Sequence, residues 1–214
     1  NNMTILIFAA HPDDEVLGVG GTILKFKNNG EKVISIITSY GEFSHPWMKE
    51  KYTKDLRRKE CLNVKKFLGV DETIFLGILE GKFNSELKKK EQKLLNIIKK
   101  EKIKKIFSHS PSDPHPDHNA CYNFIHNVIK KNDLDVEFLC FDIWNPLIIK
   151  KRHMPKVYYD ISKYMHKKNE AVNMYESQKH AMILMGLKPL MWIKAFLNGL
   201  KINKRFAEGF LKIK

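Results

Sequence analysis

Two short segments of the chain concentrate the residue types that ligate metal ions and move protons. Residues 10–15 read Ala-His-Pro-Asp-Asp-Glu and follow directly on an apolar run over residues 5–9. Neighbouring carboxylates repel one another and raise one another's pKa, so such a cluster is costly to hold without a cation. Further along, residues 109–118 read His-Ser-Pro-Ser-Asp-Pro-His-Pro-Asp-His. Together the segments provide the three nitrogen and oxygen ligands of a catalytic zinc site, in which a fourth position stays open for water.

In the first segment, the spacing of the side chains distinguishes two candidate metal ligands from a candidate general base. His11 and Asp14 are three residues apart across a turn that contains proline, so both can point the same way and each supply a ligand. Asp13 lies between them and would point elsewhere. A carboxylate beside a metal, but not bound to it, can take a proton from water as a general base. The alternative is that Asp13 and Asp14 only cap the following helix, which leaves His11 and the second acid unexplained.

The second segment offers two imidazoles, His115 and His118, and a carboxylate, Asp117, that opens a predicted helix. One imidazole can complete the metal site. The other, if protonated, can stabilise a tetrahedral oxyanion while a neighbouring carboxylate keeps it charged. Composition alone does not say which is which, and a polar turn with two surface histidines is the alternative. Taken with the first segment, the pattern predicts a metal-dependent hydrolase.

The elements that must position these segments alternate along the first two thirds of the chain. Apolar runs predict strands over residues 4–10, 33–38, 73–76, 105–108 and 136–141. Helical spacing predicts helices over residues 15–28, 51–68, 85–101 and 117–131. This alternation predicts an α/β fold, a Rossmann-like three-layer sandwich with a mostly parallel central sheet. Sites in such sheets lie beyond the carboxyl ends of the strands, so we expect both segments to meet in one crevice.

The last third of the chain departs from this alternation. We expect a strand over residues 157–161, a helix over residues 163–178 and an amphipathic helix over residues 187–200. The wide apolar face of the last helix is expected to pack on the domain rather than on a membrane or a partner subunit. We expect one domain over residues 1–214, with a basic, partly amphipathic helical segment over about residues 187–214.

The net charge of +14 is concentrated at the carboxyl end, where residues 150–214 carry 15 Lys and Arg against 4 Asp and Glu. A field of this sign would attract anionic substrates, anionic lipid or nucleic acid, although solvated lysine faces explain it equally well. A nucleic-acid or membrane-surface binding module would leave both histidine-rich segments unexplained. The chain contains no nucleic-acid-binding motif, so we expect no nucleic-acid partner.

Other features of the chain bear on its compartment and exclude a dinucleotide site. No apolar run approaches the roughly 18 residues that span a bilayer, and the first residues do not resemble a secretory signal. Cys61, Cys121 and Cys140 form no CxxC motif, as expected of reduced thiols. We therefore expect a cytoplasmic protein, with contact at the inner face of the membrane left open.

Residues 18–21 do not match the G-x-G-x-x-G pattern of dinucleotide-binding proteins.

The two segments resemble those of the LmbE/PIG-L family of zinc-dependent N-acetylglucosaminyl deacetylases. The resemblance is carried by AHPDDE over residues 10–15 and by HPDH over residues 115–118. Weaker similarity extends over most of the chain. Residues 38–42 resemble the T-x-G-E loop of the family, residues 57–60 its R-x-x-E helix, residues 168–178 its K…Y-x-S-Q helix and residues 206–210 its closing A-E-x-F.

The resemblance implies a role for each matching position. The implied zinc ligands are His11, Asp14 and His118. Asp13 would be the general base, and His115 the oxyanion stabiliser and late general acid, oriented by Asp117. Arg57 would reach toward the sugar, unless it is a surface arginine of its helix. His109 and Asp113 also match motif positions, and we expect them to support the ligands rather than bind the metal.

The implied activity is the removal of an acetyl group from a GlcNAc-type amino-sugar conjugate, giving acetate and the free amine. The basic carboxyl-terminal third suggests an anionic conjugate, linked to a nucleotide or a lipid. Another amide, such as a thiol-sugar conjugate, is the alternative substrate. The sequence leaves open whether the metal is Zn²⁺ or Fe²⁺ and whether the chain forms homo-oligomers.

Overall fold

The computed structural model describes residues 3–45, 47–143 and 155–214, which build a seven-stranded sheet between two layers of helices. The strands are β1 (Thr4–Ala9), β2 (Lys32–Ile37), β3 (Glu72–Phe75), β4 (Ile103–His109), β5 (Glu137–Phe141), β6 (Lys156–Asp160) and β7 (Ala207–Lys212). They lie in the order β3-β2-β1-β4-β5-β7-β6. The first five are parallel, and β7 runs antiparallel to both of its neighbours. The predicted fold class is confirmed.

The helices mostly match the predicted segments, with three exceptions. Their bounds are α1 (Asp14–Asn28), α2 (Glu50–Leu68), α3 (Phe83–Glu86), α4 (Glu91–Lys100), α5 (Pro116–Lys131), α6 (Met165–Asn173), α7 (Lys179–Leu184) and α8 (Leu187–Lys201). The helix predicted over residues 85–101 is interrupted by a 3₁₀ helix at Leu87–Lys90. The helix predicted over residues 163–178 ends at Asn173, because Ser177 gives its backbone N–H and its hydroxyl to Glu60 of α2. In the helical segment expected over about residues 187–214, the helix ends at Lys201, and residues 207–212 form strand β7.

The apolar run before the first acidic segment forms the centre of the sheet. Alternate side chains of β1 enter opposite cores: Ile5 and Ile7 face the layer that contains α1, while Leu6 and Phe8 face the layer that contains α5. The Phe8 ring lies 5.7 Å from that of Phe124 in α5. A strand buried on both faces reads as a continuous apolar run, which explains the composition of residues 5–9.

The strand order places the candidate site where the chain reverses the direction in which it adds strands to the sheet. The chain passes from β1 outward to β2 and β3, then crosses back to β4 on the other side of β1. Ligand sites in open α/β sheets form at such a reversal, outside the carboxyl ends of the strands. The loops that follow β1 and β4 carry the two histidine-rich segments, and the loops after β2 and β3 border the same edge.

Only one side of helix α8 packs on the fold, where the half-buried Leu187 and Trp192 flank a stripe of three buried residues. We call this the inner stripe: Met191, Ala195 and Gly199, all buried. Most of the other large apolar side chains of α8 are exposed. Within the described ranges, no helix is long and apolar enough to cross a membrane.

Candidate metal centre

The structure brings together the three predicted ligands, which are all buried. Asp14 Oδ2 lies 3.4 Å from His11 Nδ1 and 3.3 Å from His118 Nε2. A tetrahedral zinc ion with bonds of about 2.0–2.2 Å places neighbouring ligand atoms roughly 3.3–3.6 Å apart. The distance from each of these nitrogens to Asp14 Oδ2 therefore matches the distance expected when both atoms bind the same metal ion.

The loop between β1 and α1 directs these side chains through its own backbone. Asp14 Oδ2 accepts a hydrogen bond from the His11 N–H at 2.8 Å, which closes the turn and turns this carboxylate inward. Asp13 adopts φ 112°, a region that side-chain-bearing residues rarely occupy. It stands at the N-cap of α1 but makes no capping hydrogen bond with its side chain. Capping therefore does not account for the Asp13 carboxylate.

A second carboxylate faces the outer nitrogen of each histidine ligand. Asp117 Oδ2 lies 3.3 Å from His11 Nε2, and Asp113 Oδ1 lies 3.0 Å from His118 Nδ1. Such contacts fix the orientation and tautomer of a metal-binding imidazole and increase its basicity. Asp117 thus approaches His11 as well as His115, a contact that the sequence did not reveal.

A neighbouring group, His109 with Asp113 and His118, has metal-like spacing, but His109 Nε2 and the Asp113 oxygens already accept hydrogen bonds. His109 Nε2 accepts from the Ala10 N–H at 3.0 Å, so its lone pair is already used. The two oxygens of Asp113 accept from the N–H groups of His115 and Ile143, both at 3.1 Å. Burial, aided by the charge of His118, holds the pKa of His109 well below its usual range, so its ring is neutral. These contacts favour a supporting role for His109 and Asp113.

The electrostatics of the cluster are those of a site built for positive charge. Burial alone would lower the pKa of His11, but hydrogen bonds to Asp117 and Asp14 raise it to about 9. Burial is likewise outweighed at His118, where Asp14 and Asp113 raise the pKa to about 10. At Asp14, burial is outweighed chiefly by the charge of His118, which holds the pKa of this carboxyl well below its usual range. A divalent cation would replace the protons that these histidines hold.

Arg57 is buried and fixes the loop that carries the predicted base. Its Nη2 donates to the Pro12 carbonyl at 2.7 Å and to Asp13 Oδ2 at 3.1 Å, and its Nη1 donates to the Gly41 carbonyl at 3.2 Å. The alternative of a surface arginine is therefore wrong. Burial raises the pKa of Asp13 to about 7, although the Arg57 guanidinium opposes this rise. A contact between Arg57 and a sugar stays a prediction.

His115 is held in a defined tautomer at the start of α5. Its Nδ1 accepts a hydrogen bond from the Asp117 N–H at 3.2 Å, with Pro116 at the first helical position. A ring nitrogen that accepts carries no proton, so the neutral ring carries its proton on Nε2. Burial and the charges of His118 and His11 also lower the pKa of His115. The imidazole is therefore neutral in this arrangement, unlike the protonated group expected from the sequence.

The sequence pattern assigned no role to two residues that the structure places at or beside the centre, Glu80 and Glu15. Glu80, in the loop after β3, lies 3.4 Å from His11 Nε2 through Oε1 and accepts from the Phe43 N–H through Oε2 at 2.7 Å. Glu15, next to Asp14, is fully buried, pairs with Lys65 at 2.6 Å and accepts from the Tyr175 hydroxyl at 3.0 Å. Only the tertiary fold brings these partners together.

The packing of the Arg57 guanidinium leaves no room for a side chain at Gly41. Gly41 has φ +70°, and a Cβ there would overlap the Arg57 guanidinium. We expect Gly41→Ala to lower the free energy of unfolding in urea by about 3 kcal/mol, because backbone strain adds to the loss of buried hydrogen bonds. Gly81→Ala is the matched control, since Gly81 has φ +76° and nothing within 4 Å of an added Cβ. The control should lose only about 1–2 kcal/mol; equal losses would contradict the proposed overlap.

The fold and this cluster define an α/β protein with a candidate metal centre at the carboxyl ends of its central strands. The chain belongs to the PIG-L family, described as GlcNAc-PI de-N-acetylases, whose model matches residues 6–129. It is also similar to a diacetylchitobiose deacetylase of Thermococcus kodakarensis, at 28% identity over 224 residues that cover 96% of this chain and 81% of the relative. The predicted family is confirmed.

Solved structures share the fold at lower identity. The N,N'-diacetylchitobiose deacetylase of Pyrococcus horikoshii superposes with a TM-score of 0.81 at 24% identity, covering 100% of this chain and 84% of that chain. A 4-carboxy-2-hydroxymuconate hydratase of Pseudomonas putida superposes with a TM-score of 0.84 at 21% identity, covering 99% of this chain and 96% of that chain. The same fold thus occurs in proteins named for deacetylation and for hydration, so the reaction must be argued from the site.

Proposed function

We propose that the protein is a metal-dependent N-deacetylase that hydrolyses the acetamido group of a GlcNAc-type amino-sugar conjugate. The observation that carries the proposal is the convergence of His11, Asp14 and His118 beside the Asp13 carboxylate. Membership of a family described as de-N-acetylases and similarity to a diacetylchitobiose deacetylase support the same reaction. Zinc or iron would be held by the three ligands, which are the nitrogen and oxygen donors that both metals accept.

The mechanism assigns each side chain a separate task. When bound, the metal would supply a Lewis acid that polarises the amide carbonyl and lowers the pKa of water. Asp13, held by Arg57, would take the proton of the attacking water and return it to the leaving amine. His115 would donate a hydrogen bond from Nε2 to the tetrahedral oxyanion. Asp117 would orient both His115, through its backbone N–H, and His11, through its carboxylate.

The neutral state of His115 makes its role testable. We expect His115→Ala to lower kcat by about 10²–10³-fold, the usual cost of removing one oxyanion donor. His115→Gln keeps an N–H donor, so we expect most of this loss to be recovered. The measurement is kcat for acetate release by both variants at equal metal content. If glutamine and alanine cause the same loss, His115 acts as the late general acid predicted from the sequence, not as a neutral donor.

Exposed aromatic side chains near the site favour a carbohydrate substrate. Phe43 and Trp47, in the loop after β2, are both exposed. The backbone of Phe43 is tied to Glu80, which contacts His11, so this loop borders the metal cluster. Rigid aromatic rings at a cleft provide apolar surface against which sugar rings can pack.

The activity is tested by measuring acetate release from a panel of N-acetyl sugars that are free, nucleotide-linked or lipid-linked. We expect metal-dependent release from at least one GlcNAc conjugate, with added chelator abolishing it. Higher rates on anionic conjugates, falling with salt, would support the electrostatic expectation drawn from the basic carboxyl-terminal third. Release from other amides but from no N-acetyl sugar would favour the alternative substrate class. No release from any amide by the metal-loaded protein would overturn the proposal.

A further inference from the structure

Helix α8 presents a second apolar face on the side opposite its inner stripe. We call it the outer face: Ile193, Phe196, Leu197 and Leu200, which are 47–59% exposed. Successive helical residues turn by about 100°, so these four residues fall within roughly 100° of arc, about 150° from the centre of the inner stripe. A surface helix normally turns polar residues outward, and this one turns large apolar residues outward.

The exposed apolar surface continues into the preceding helix. Ile183 and Leu184, at the end of α7, and Met185, in the turn after it, are all exposed, and Leu184 is 87% exposed. Helices α7 and α8 contact each other and are joined by a short turn at Gly186, which has φ 65°. Contiguous exposed apolar residues on two adjoining helices mark an interaction surface rather than the scattered single residues of ordinary protein surfaces.

The charge of this region indicates what the surface contacts. Residues 179–206 contain six Lys and Arg and no Asp or Glu. Lys179, Lys201, Lys204 and Arg205 are exposed, and Lys201 lies on α8 within about 60° of the outer face. A second copy of the chain would bring the same positive charges together, which disfavours self-association through this face. Anionic lipid headgroups would neutralise these charges while the apolar side chains enter the acyl boundary.

We propose that the outer face of α8, with the exposed end of α7, binds the surface of an anionic bilayer. The helix lies in the interface plane, with its inner stripe holding the fold and its outer face buried among the lipids. The surface is separate from the metal cluster, so the proposal stands whether or not the chain is an N-deacetylase.

The proposal is tested by sedimentation with vesicles of phosphatidylcholine alone or of phosphatidylcholine with one third phosphatidylglycerol. We expect the full chain to bind the anionic vesicles, with binding that falls as salt rises. The double substitution Phe196→Ser/Leu200→Ser should weaken binding at least about tenfold. Leu56→Ser/Leu62→Ser, which removes two exposed apolar side chains from α2, is the matched control and should bind like the unmodified chain.

Three outcomes would overturn the proposal. One is the absence of binding to anionic vesicles by a protein whose circular dichroism and thermal unfolding are normal. Another is binding that the outer-face and control variants share equally, which would indicate charge attraction alone. The third is an oligomer in gel filtration that Phe196→Ser/Leu200→Ser dissociates, which would show the outer face to be an interface between copies. Acetate release by each variant, measured in parallel, separates these outcomes from a failure of the proposed activity.

Discussion

Replacing Asp13 by asparagine is expected to lower kcat for acetate release by about 10²–10⁴-fold, the usual contribution of a positioned general base. Asparagine preserves the size of the side chain and can still accept a hydrogen bond from Arg57, so the loop should keep its shape. The metal should remain bound, since Asp13 is not among the three converging ligands. The measurements are kcat under saturating substrate and metal content by elemental analysis.

Glu42→Gln is a suitable control for the Asp13 variant. Glu42 is also a buried carboxylate near the site, and it accepts a hydrogen bond from the Ser39 hydroxyl at 2.8 Å in the loop after β2. Its neutralisation should change kcat by less than about tenfold, because the glutamine oxygen can still accept the Ser39 hydrogen bond and Glu42 is not among the converging ligands. An Asp13→Asn protein that holds metal and turns over at a near-normal rate would exclude Asp13 as the base.

Loss of a histidine ligand is expected to abolish metal binding. We expect His11→Ala and His118→Ala each to retain almost no metal after dialysis and to lose measurable acetate release, because two remaining ligands hold a catalytic zinc poorly. Asp113→Asn, which removes the negative charge facing His118 Nδ1 but leaves oxygen and nitrogen atoms of the same size in place, should weaken metal affinity by about 10–100-fold. Metal content and a competitive chelator titration measure both effects.

His109→Gln distinguishes the proposed ligand set from its neighbour. The glutamine side chain can still accept the Ala10 N–H that His109 Nε2 accepts in the structure. The metal content of the His109→Gln protein should therefore equal that of the unmodified protein. A His109→Gln protein that loses metal as completely as His118→Ala would place the ion in the group that contains Asp113 instead.

The local pattern of the sequence was sufficient to predict the centre of the fold and the cluster it carries. The apolar run over residues 5–9 is a strand buried on both faces, and Gly69 ends α2 with φ +79°, as a glycine after a helix does. Because parallel strands end at the same edge of a sheet, two segments that each follow a strand were expected to meet. His11, Asp14 and His118 do meet there.

The features that escaped prediction depend on contacts between distant parts of the chain. The antiparallel strand β7 pairs with β5 and β6, and no local periodicity marks that pairing. The direction of a side chain is equally non-local. Arg57 turns inward toward Pro12 and Asp13, and Glu80 reaches His11, because the loops after β1, β2 and β3 share one edge. The end of α6 is set by the contact of Ser177 with Glu60.

The three consecutive acids of the first segment each meet a different cationic partner. Asp13 faces Arg57, Asp14 faces the histidines, and Glu15 faces Lys65 in the core. Inserting or deleting one residue here would shift every acid onto its neighbour's counter-ion at once. The length of this segment is therefore constrained by three separate cationic partners at once.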